Sequence, residues 1–216
     1  YSVDNALNRT SSSCKPLCGM LGQTYMKSTI KILILSFLTI VTSCMGPKYV
    51  STIVSDHYDK NKDQTTYTKF PYGSLSLPGQ WTKTSLNQVS GQQNFESKDS
   101  LSTALLINQA SSYPFYVKGM TSNEFVKAFY EWDSKYFIDN IKANCSIIKQ
   151  DTVNHFIIWQ IIAHNDKYNV ENQYLFGCEN GLVFTIFAPT RKLTFEQKID
   201  FMETVYKNKT VGTCCN

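Results

Sequence analysis

Apolar side chains recur with the period of a helix in residues 121–141 and 194–207. In each segment the apolar positions are separated by four, three and four residues, which places them along one face of an α-helix. Each segment also opens with a threonine that is followed three residues later by Glu or Gln, the pattern of a capping box. We therefore predict two helices that each cover a sheet with one apolar face. The apolar positions are Phe125, Phe129, Trp132 and Tyr136 in the first segment and Phe195, Ile199, Met202 and Tyr206 in the second.

Strand-like patterns occupy most of the rest of residues 65–216. Asn180-Gly181 lies between the last two of these patterns, and Asn-Gly is a strong hairpin signal. In residues 155–163 both alternate sets of side chains are apolar, which predicts a central strand that is covered on both faces. Strands joined by hairpins indicate the α+β class, with an antiparallel sheet and helices packed on it as an α/β sandwich. The predicted strands are 65–70, 72–77, 92–97, 102–108, 145–150, 155–163, 168–176 and 182–188.

Two short stretches of this region resemble a known fold family. Residues 72–81, YGSLSLPGQW, and residues 95–99, FESKD, look like the opening of PsbP-like and Mog-type domains. Those domains are α/β sandwiches that occur as photosystem accessory proteins, Ran-binding proteins and bacterial lipoproteins. The resemblance implies a PsbP-like sandwich, and it transfers no binding residue to this chain.

Residues 26–44, MKSTIKILILSFLTIVTSC, have the three parts of a secretory signal. Lys27 and Lys31 supply a positive start, an apolar run follows over residues 32–41, and small residues precede Cys44. This run is shorter than the roughly 20 apolar residues that a membrane-spanning helix needs. The segment therefore predicts export from the cytoplasm.

Val41-Thr42-Ser43-Cys44 resembles the lipobox of bacterial lipoproteins. The resemblance implies that residues 26–43 are a signal peptide and that the Cys44 sulfur carries diacylglycerol. Acylation of the new amino terminus, as with palmitate, is a common further step, and two or more chains anchor a protein stably in a membrane. Residues 45–48 lack the acidic side chains that surface-exposed lipoproteins often carry there, so we expect the periplasmic side of the bacterial cell envelope. The alternative is an ordinary secretory signal with a cysteine at its boundary.

Composition sets the remaining boundaries. Residues 1–25 are interpreted as upstream sequence or a disordered extension, residues 44–64 as the lipidated cysteine with a polar tether, and residues 65–216 as a single α+β domain. Four of the 21 Lys and Arg and one of the 17 Asp and Glu precede Cys44, so the rest of the chain has 17 basic and 16 acidic residues. A nearly neutral domain argues against nucleic acid as a partner.

Four cysteines lie in the expected domain, namely Cys145, Cys178, Cys214 and Cys215. An even number in an oxidising compartment makes disulfides possible, but four cysteines allow three connectivities and the sequence does not choose between them. Free thiols are the alternative. A catalytic pair of Cys145 or Cys178 with His155 would lack a third group that orients it.

Motifs for catalysis, cofactors or metals are missing from the sequence. The chain has neither the Gly-x-Ser-x-Gly of a nucleophile elbow nor a phosphate-binding loop. His155 and His164 are nine residues apart, an odd separation that directs them to opposite faces of a strand, and His57 lies in the expected tether. We therefore expect no catalytic, cofactor-binding or metal-ligating residue. The helix carboxylates Glu124, Glu131 and Asp133 are expected on a solvated face.

These observations favour a non-enzymatic, lipid-anchored protein that binds an envelope protein or a small ligand. Tyr113, Phe115 and Tyr116 flank Pro114 in the loop before the first helix, and loops often carry function, so we expect these rings to contact the partner. The alternative for the rings is a lid folded over the core. The alternative for the whole protein is a hydrolase-like lipoprotein enzyme whose site is assembled from scattered residues.

Overall fold

The structure is a computed structural model that describes residues 51–188 and 191–212. The predictions for residues 1–25, the signal segment 26–43, Cys44, Cys214 and Cys215 fall outside the described residues and stay predictions. The described strands are β1 Ile53–Asp59, β2 Gln64–Phe70, β3 Gly73–Pro78, β4 Trp81–Leu86, β5 Gln93–Ser97, β6 Ser102–Gln109, β7 Asn144–Asp151, β8 Phe156–His164, β9 Asn169–Glu179, β10 Leu182–Phe187 and β11 Thr210–Val211. The described helices are α1 Ser122–Ile141 and α2 Phe195–Lys207, and a 3-10 turn covers Ala110–Ser112.

Within the described residues the strands form two antiparallel sheets. One has four strands in the order β1-β2-β3-β11, and the other has seven in the order β4-β5-β6-β10-β9-β8-β7. Helix α2 and the small sheet cover one face of the large sheet, and α1 covers part of the other. The expected α+β class, with helices packed on antiparallel sheet, is confirmed.

Each face of the large sheet has its own hydrophobic core. On the α2 side, Leu105, Phe156 and Phe184 pack against Met202 and Tyr206 and against the small sheet. The second core lies under α1, and its members include Phe125, Phe129, Ile157, Trp159, Phe176 and Val183. Neighbouring positions of one strand therefore enter different cores, because side chains alternate across a strand.

Strand β8 shows this alternation most clearly. Phe156 and Ile158 enter the first core while Ile157 and Trp159 enter the second, and all four side chains are fully buried. The prediction that this strand is covered on both faces is confirmed. Its position in the sheet is second from the edge, because β7 pairs outside it.

The expected tether is partly wrong. Residues 53–59, which the sequence predicts to lie in the tether, form β1, which pairs along its whole length with β2 from Ile53 opposite Phe70 to Asp59 opposite Gln64. Strand β4 was also missed. Both are edge strands in which most side chains are exposed, so neither carries the apolar alternation by which a half-buried strand is recognised.

The local signals at the helix starts and at the last hairpin are confirmed. The hydroxyl of Thr121 accepts a hydrogen bond from the backbone N–H of Glu124, whose carboxylate accepts one from the Thr121 backbone. Thr194 and Gln197 repeat this capping box at α2. Asn180 and Gly181 have positive φ angles of 51° and 73°, as expected for a tight hairpin turn between β9 and β10.

Candidate functional site

A groove lies on the α1 face of the large sheet because α1 covers only part of that face. The helix packs over β7, β8 and β9, while β6 and β10 continue the sheet beyond its edge. Alternation along these two strands turns Leu106, Asn108 and Thr185 toward the helix side. We call this cavity of about 390 Å³ the aromatic groove. Its remaining lining residues are Phe129, Trp132, Asp133 and Phe137 from α1, Tyr174 and Phe176 from β9, and Val89, Ser90, Gln92, Ser112, Tyr113 and Pro114 from loops.

Rings in mutual contact form the walls of the aromatic groove. Phe129 of α1 stacks on Phe176 of the sheet with centroids 4.1 Å apart and an angle of 8° between the planes. Tyr113 lies 4.8 Å from Phe129 and 6.1 Å from Trp132, the latter in an edge-to-face arrangement. Such contacts fix ring positions through packing as well as burial. Trp132 keeps 45% of its surface exposed at the rim.

Tyr113, Phe115 and Tyr116 are half-buried. Tyr113 and Phe115 both contact Phe125 and Phe129 of α1, which is the lid arrangement that the sequence left as the alternative. Burial raises the pKa of Tyr113 to about 12. The role of the three residues in contacting a partner stays a prediction.

Asp133 stands on the buried side of α1, which corrects its assignment to a solvated face. Phe129, Asp133 and Phe137 follow one another at intervals of four residues, so the carboxylate lies between two rings that face the sheet. Burial raises the pKa of this carboxyl to about 6. In the described part of the chain no hydrogen bond or ion pair satisfies it. The row of four-residue intervals from Phe125 through Asp133 to Phe137 was the sequence signal for this position.

Thr185 places a second unsatisfied polar group at the floor of the aromatic groove. The residue is only 2% exposed, and its hydroxyl oxygen has no hydrogen-bond partner among the described atoms. Buried hydroxyls are usually hydrogen-bonded, because leaving one unpaired costs free energy. The aromatic groove thus combines apolar walls with two polar groups that lack partners.

The residues named for a hydrolase-like site are held by other contacts. The free thiol of Cys145 donates weakly to the Ser134 carbonyl at 3.8 Å, and burial raises its pKa. The imidazole Nδ1 of His155 lies 3.1 Å from the side-chain oxygen of Asn123. Cys178 is buried, lines a separate cavity of about 310 Å³, and donates its backbone N–H to the His155 carbonyl at 3.0 Å.

Because Cys145 is a free thiol, a Cys145–Cys178 disulfide is not formed. Pairings that involve Cys214 or Cys215 lie outside the described residues and stay predictions. Among the described residues, no three His, Cys, Asp or Glu side chains are grouped so that they would hold a metal ion. No described helix has the length and apolar character that crossing a membrane requires.

Comparisons with known proteins add one structural likeness. No protein-family model and no curated protein matches the chain. Among solved structures, the chain is similar to cyanobacterial PsbP (CyanoP) from Synechocystis sp. PCC 6803, with 12% identity and a TM-score of 0.44 over 78% of this chain and 97% of that chain. A likeness at this level carries no information about a ligand.

Proposed function

We propose that the chain is a lipid-anchored, non-enzymatic binding protein of the bacterial cell envelope, and that the aromatic groove holds a small ligand. The observation that carries this proposal is the strip of sheet over β6 and β10 that α1 leaves uncovered. The aromatic groove above this strip has a volume of about 390 Å³, which lies in the range of small-molecule sites. Such sites are mostly apolar with a few polar groups.

The chemistry of the lining favours binding over turnover. Of the described residues that line the aromatic groove, only Asp133 has a charged side chain, and none is His or Cys. A hydrolytic site needs a nucleophile or an activated water together with a group that moves the proton. Ser90, Ser112 and Thr185 supply hydroxyls, but among the described atoms none of them is hydrogen-bonded to Asp133, the one lining carboxylate that could act as a base.

A neutral apolar dye tests whether the aromatic groove binds. We expect Nile red to bind the purified full chain with a blue-shifted emission, because the groove offers it an apolar environment. Leu106→Trp fills the floor and should abolish that signal, while Val153→Trp adds the same ring in an exposed turn and should preserve it. Circular dichroism confirms that each variant is folded. Equal dye binding by all three proteins, or no binding by the wild type, would contradict the proposal.

A further inference from the structure

We infer that the ligand of the aromatic groove is an organic cation, a protonated amine on a small apolar body, whose charge lies against Asp133. This inference rests on the proposed function, because it assigns a ligand class to the same groove. Three independent features support it: an unpaired carboxylate, the faces of the surrounding rings, and an unpaired hydroxyl.

The carboxylate of Asp133 is charged, half-buried and unmatched. The lysines nearest to it on α1 have other partners, since Lys127 approaches Glu131 at 4.0 Å and Lys135 bonds Asp139 at 2.8 Å. The titratable groups that face Asp133 from other elements are Tyr113, Tyr174 and Cys145, and burial raises the pKa of each, so they remain neutral at pH 7. A charge taken out of water is stabilised by a nearby charge of opposite sign. A ligand cation would provide it.

The rings beside Asp133 favour the same charge. Trp132, Tyr113 and Phe129 line the aromatic groove and are in mutual contact, and Trp132 is partly exposed to solvent. Aromatic faces attract cations, with Trp the strongest, and they repel anions through the ring quadrupole. A carboxylate ligand would meet both the rings and Asp133 unfavourably. An uncharged ligand would leave the charge of Asp133 without a counter-charge.

Thr185 distinguishes a protonated amine from a fully substituted ammonium. Its hydroxyl oxygen is buried at the groove floor and has no hydrogen-bond partner among the described atoms. An N–H donor on the ligand satisfies that oxygen, whereas a quaternary ammonium has no hydrogen to donate. The cavity volume of about 390 Å³ is at the small end for ligand sites, so the apolar body is of the size of one ring with a short chain.

Three probes of similar shape but different charge test which ligand charge the aromatic groove prefers. Phenethylamine, phenethyl alcohol and 3-phenylpropanoate are each titrated against Nile red bound to the full chain at pH 7.5. We expect the amine to displace the dye at a concentration about tenfold or more below that of the alcohol, with the carboxylate weakest, because only the amine brings a positive charge to the ionised Asp133 carboxylate. Asp133→Asn should reduce the affinity for the amine to that for the alcohol. Glu131→Gln, two residues away on the exposed side of α1, should leave the preference intact.

The pH dependence provides a readout that a merely structural role of Asp133 would not give. The carboxyl must be ionised to attract the amine, and its pKa in the unoccupied groove is about 6. We therefore expect amine affinity to fall about tenfold from pH 7.5 to pH 5, while alcohol affinity stays constant. Alkyl amines remain protonated over that range.

The outcomes separate this inference from the function on which it rests. If Nile red binds and Leu106→Trp abolishes it, but the three probes compete equally in wild type and Asp133→Asn, the amine assignment is overturned and the groove remains a binding site. If the carboxylate competes best, the assignment is likewise overturned. If Nile red binds Leu106→Trp as well as it binds the wild type, the proposed function itself is contradicted.

Discussion

Burying the charged side chain of Asp133 opposes folding. Its pKa of about 6 in the folded protein exceeds the ordinary aspartate value of 3.8, so the folded state binds a proton more tightly than the unfolded chain does. Folding therefore carries a cost above pH 6, where the carboxylate must be charged inside the aromatic groove. As pH falls from 6 toward 3.8 this cost disappears. Carboxyl groups with pKa values shifted by burial cluster at functional sites.

Asp133→Asn should stabilise the protein at neutral pH. It removes the desolvated charge, and we expect the free energy of unfolding at pH 7.5 to rise by roughly 1–2 kcal/mol, a figure reduced from the full pKa difference because the side chain keeps some contact with water. The gain should vanish near pH 3.8. Urea unfolding at several pH values measures it. Glu131→Gln serves as the control and should change stability by less than about 0.5 kcal/mol. A loss of stability in Asp133→Asn at pH 7.5 would show that the charge is satisfied.

At the level of elements, the sequence predicts what is buried and misses what is not. The two helices, their capping boxes and the strands of the sheet interior follow from periodic apolar positions. Strands β1 and β4 lie at sheet edges, where backbone pairing rather than side-chain burial holds them, so their sequences lack that period. The site was missed for a related reason. Asp133 was assigned by its polarity, although its spacing from Phe129 and Phe137 places it on the buried face.

A close approach between α2 and β9 gives a test of packing at this level. The ring of Tyr206 lies directly against Gly177, and a Cβ at that position would overlap the ring. Tyr206 is also fixed by its hydroxyl, which donates to the Asn154 carbonyl at 2.9 Å.

We therefore expect Gly177→Ala to lower the free energy of unfolding by roughly 1–3 kcal/mol, the usual cost of overpacking. Glu171→Ala, at an exposed position of the same strand, is the matched control. Both are measured by urea denaturation. An unchanged midpoint for Gly177→Ala would mean that α2 shifts away from the sheet without cost.

At the level of the whole molecule, the proposed lipid anchor and the proposed ligand groove depend on different parts of the chain. The anchor rests on residues 26–44 alone, which lie outside the described structure. The groove is formed by residues whose packing the structure describes. Strand β1 leaves residues 45–52 between Cys44 and the first paired residue, a shorter connection than the sequence indicated.

Lipidation is expected to depend on Cys44 and on no other cysteine. Cells that express the full chain should incorporate labelled palmitate into it, and Cys44→Ala should abolish both the label and recovery in the membrane fraction. Cys145→Ala removes a thiol of the domain and should keep the label. A labelled Cys44→Ala protein, or an unlabelled wild type, would leave the ordinary secretory signal as the better interpretation of residues 26–44.

The three tryptophans of the chain differ sharply in their access to water. Trp81 and Trp159 are 6% and 0% exposed, whereas Trp132 at the rim of the aromatic groove is 45% exposed. A water-soluble quencher such as acrylamide therefore reaches one indole far more readily than the other two. Because that indole is also a wall of the proposed site, its quenching reports whether the groove is occupied. Quenching of Trp132 fluorescence would therefore measure occupancy of the proposed site without an attached label.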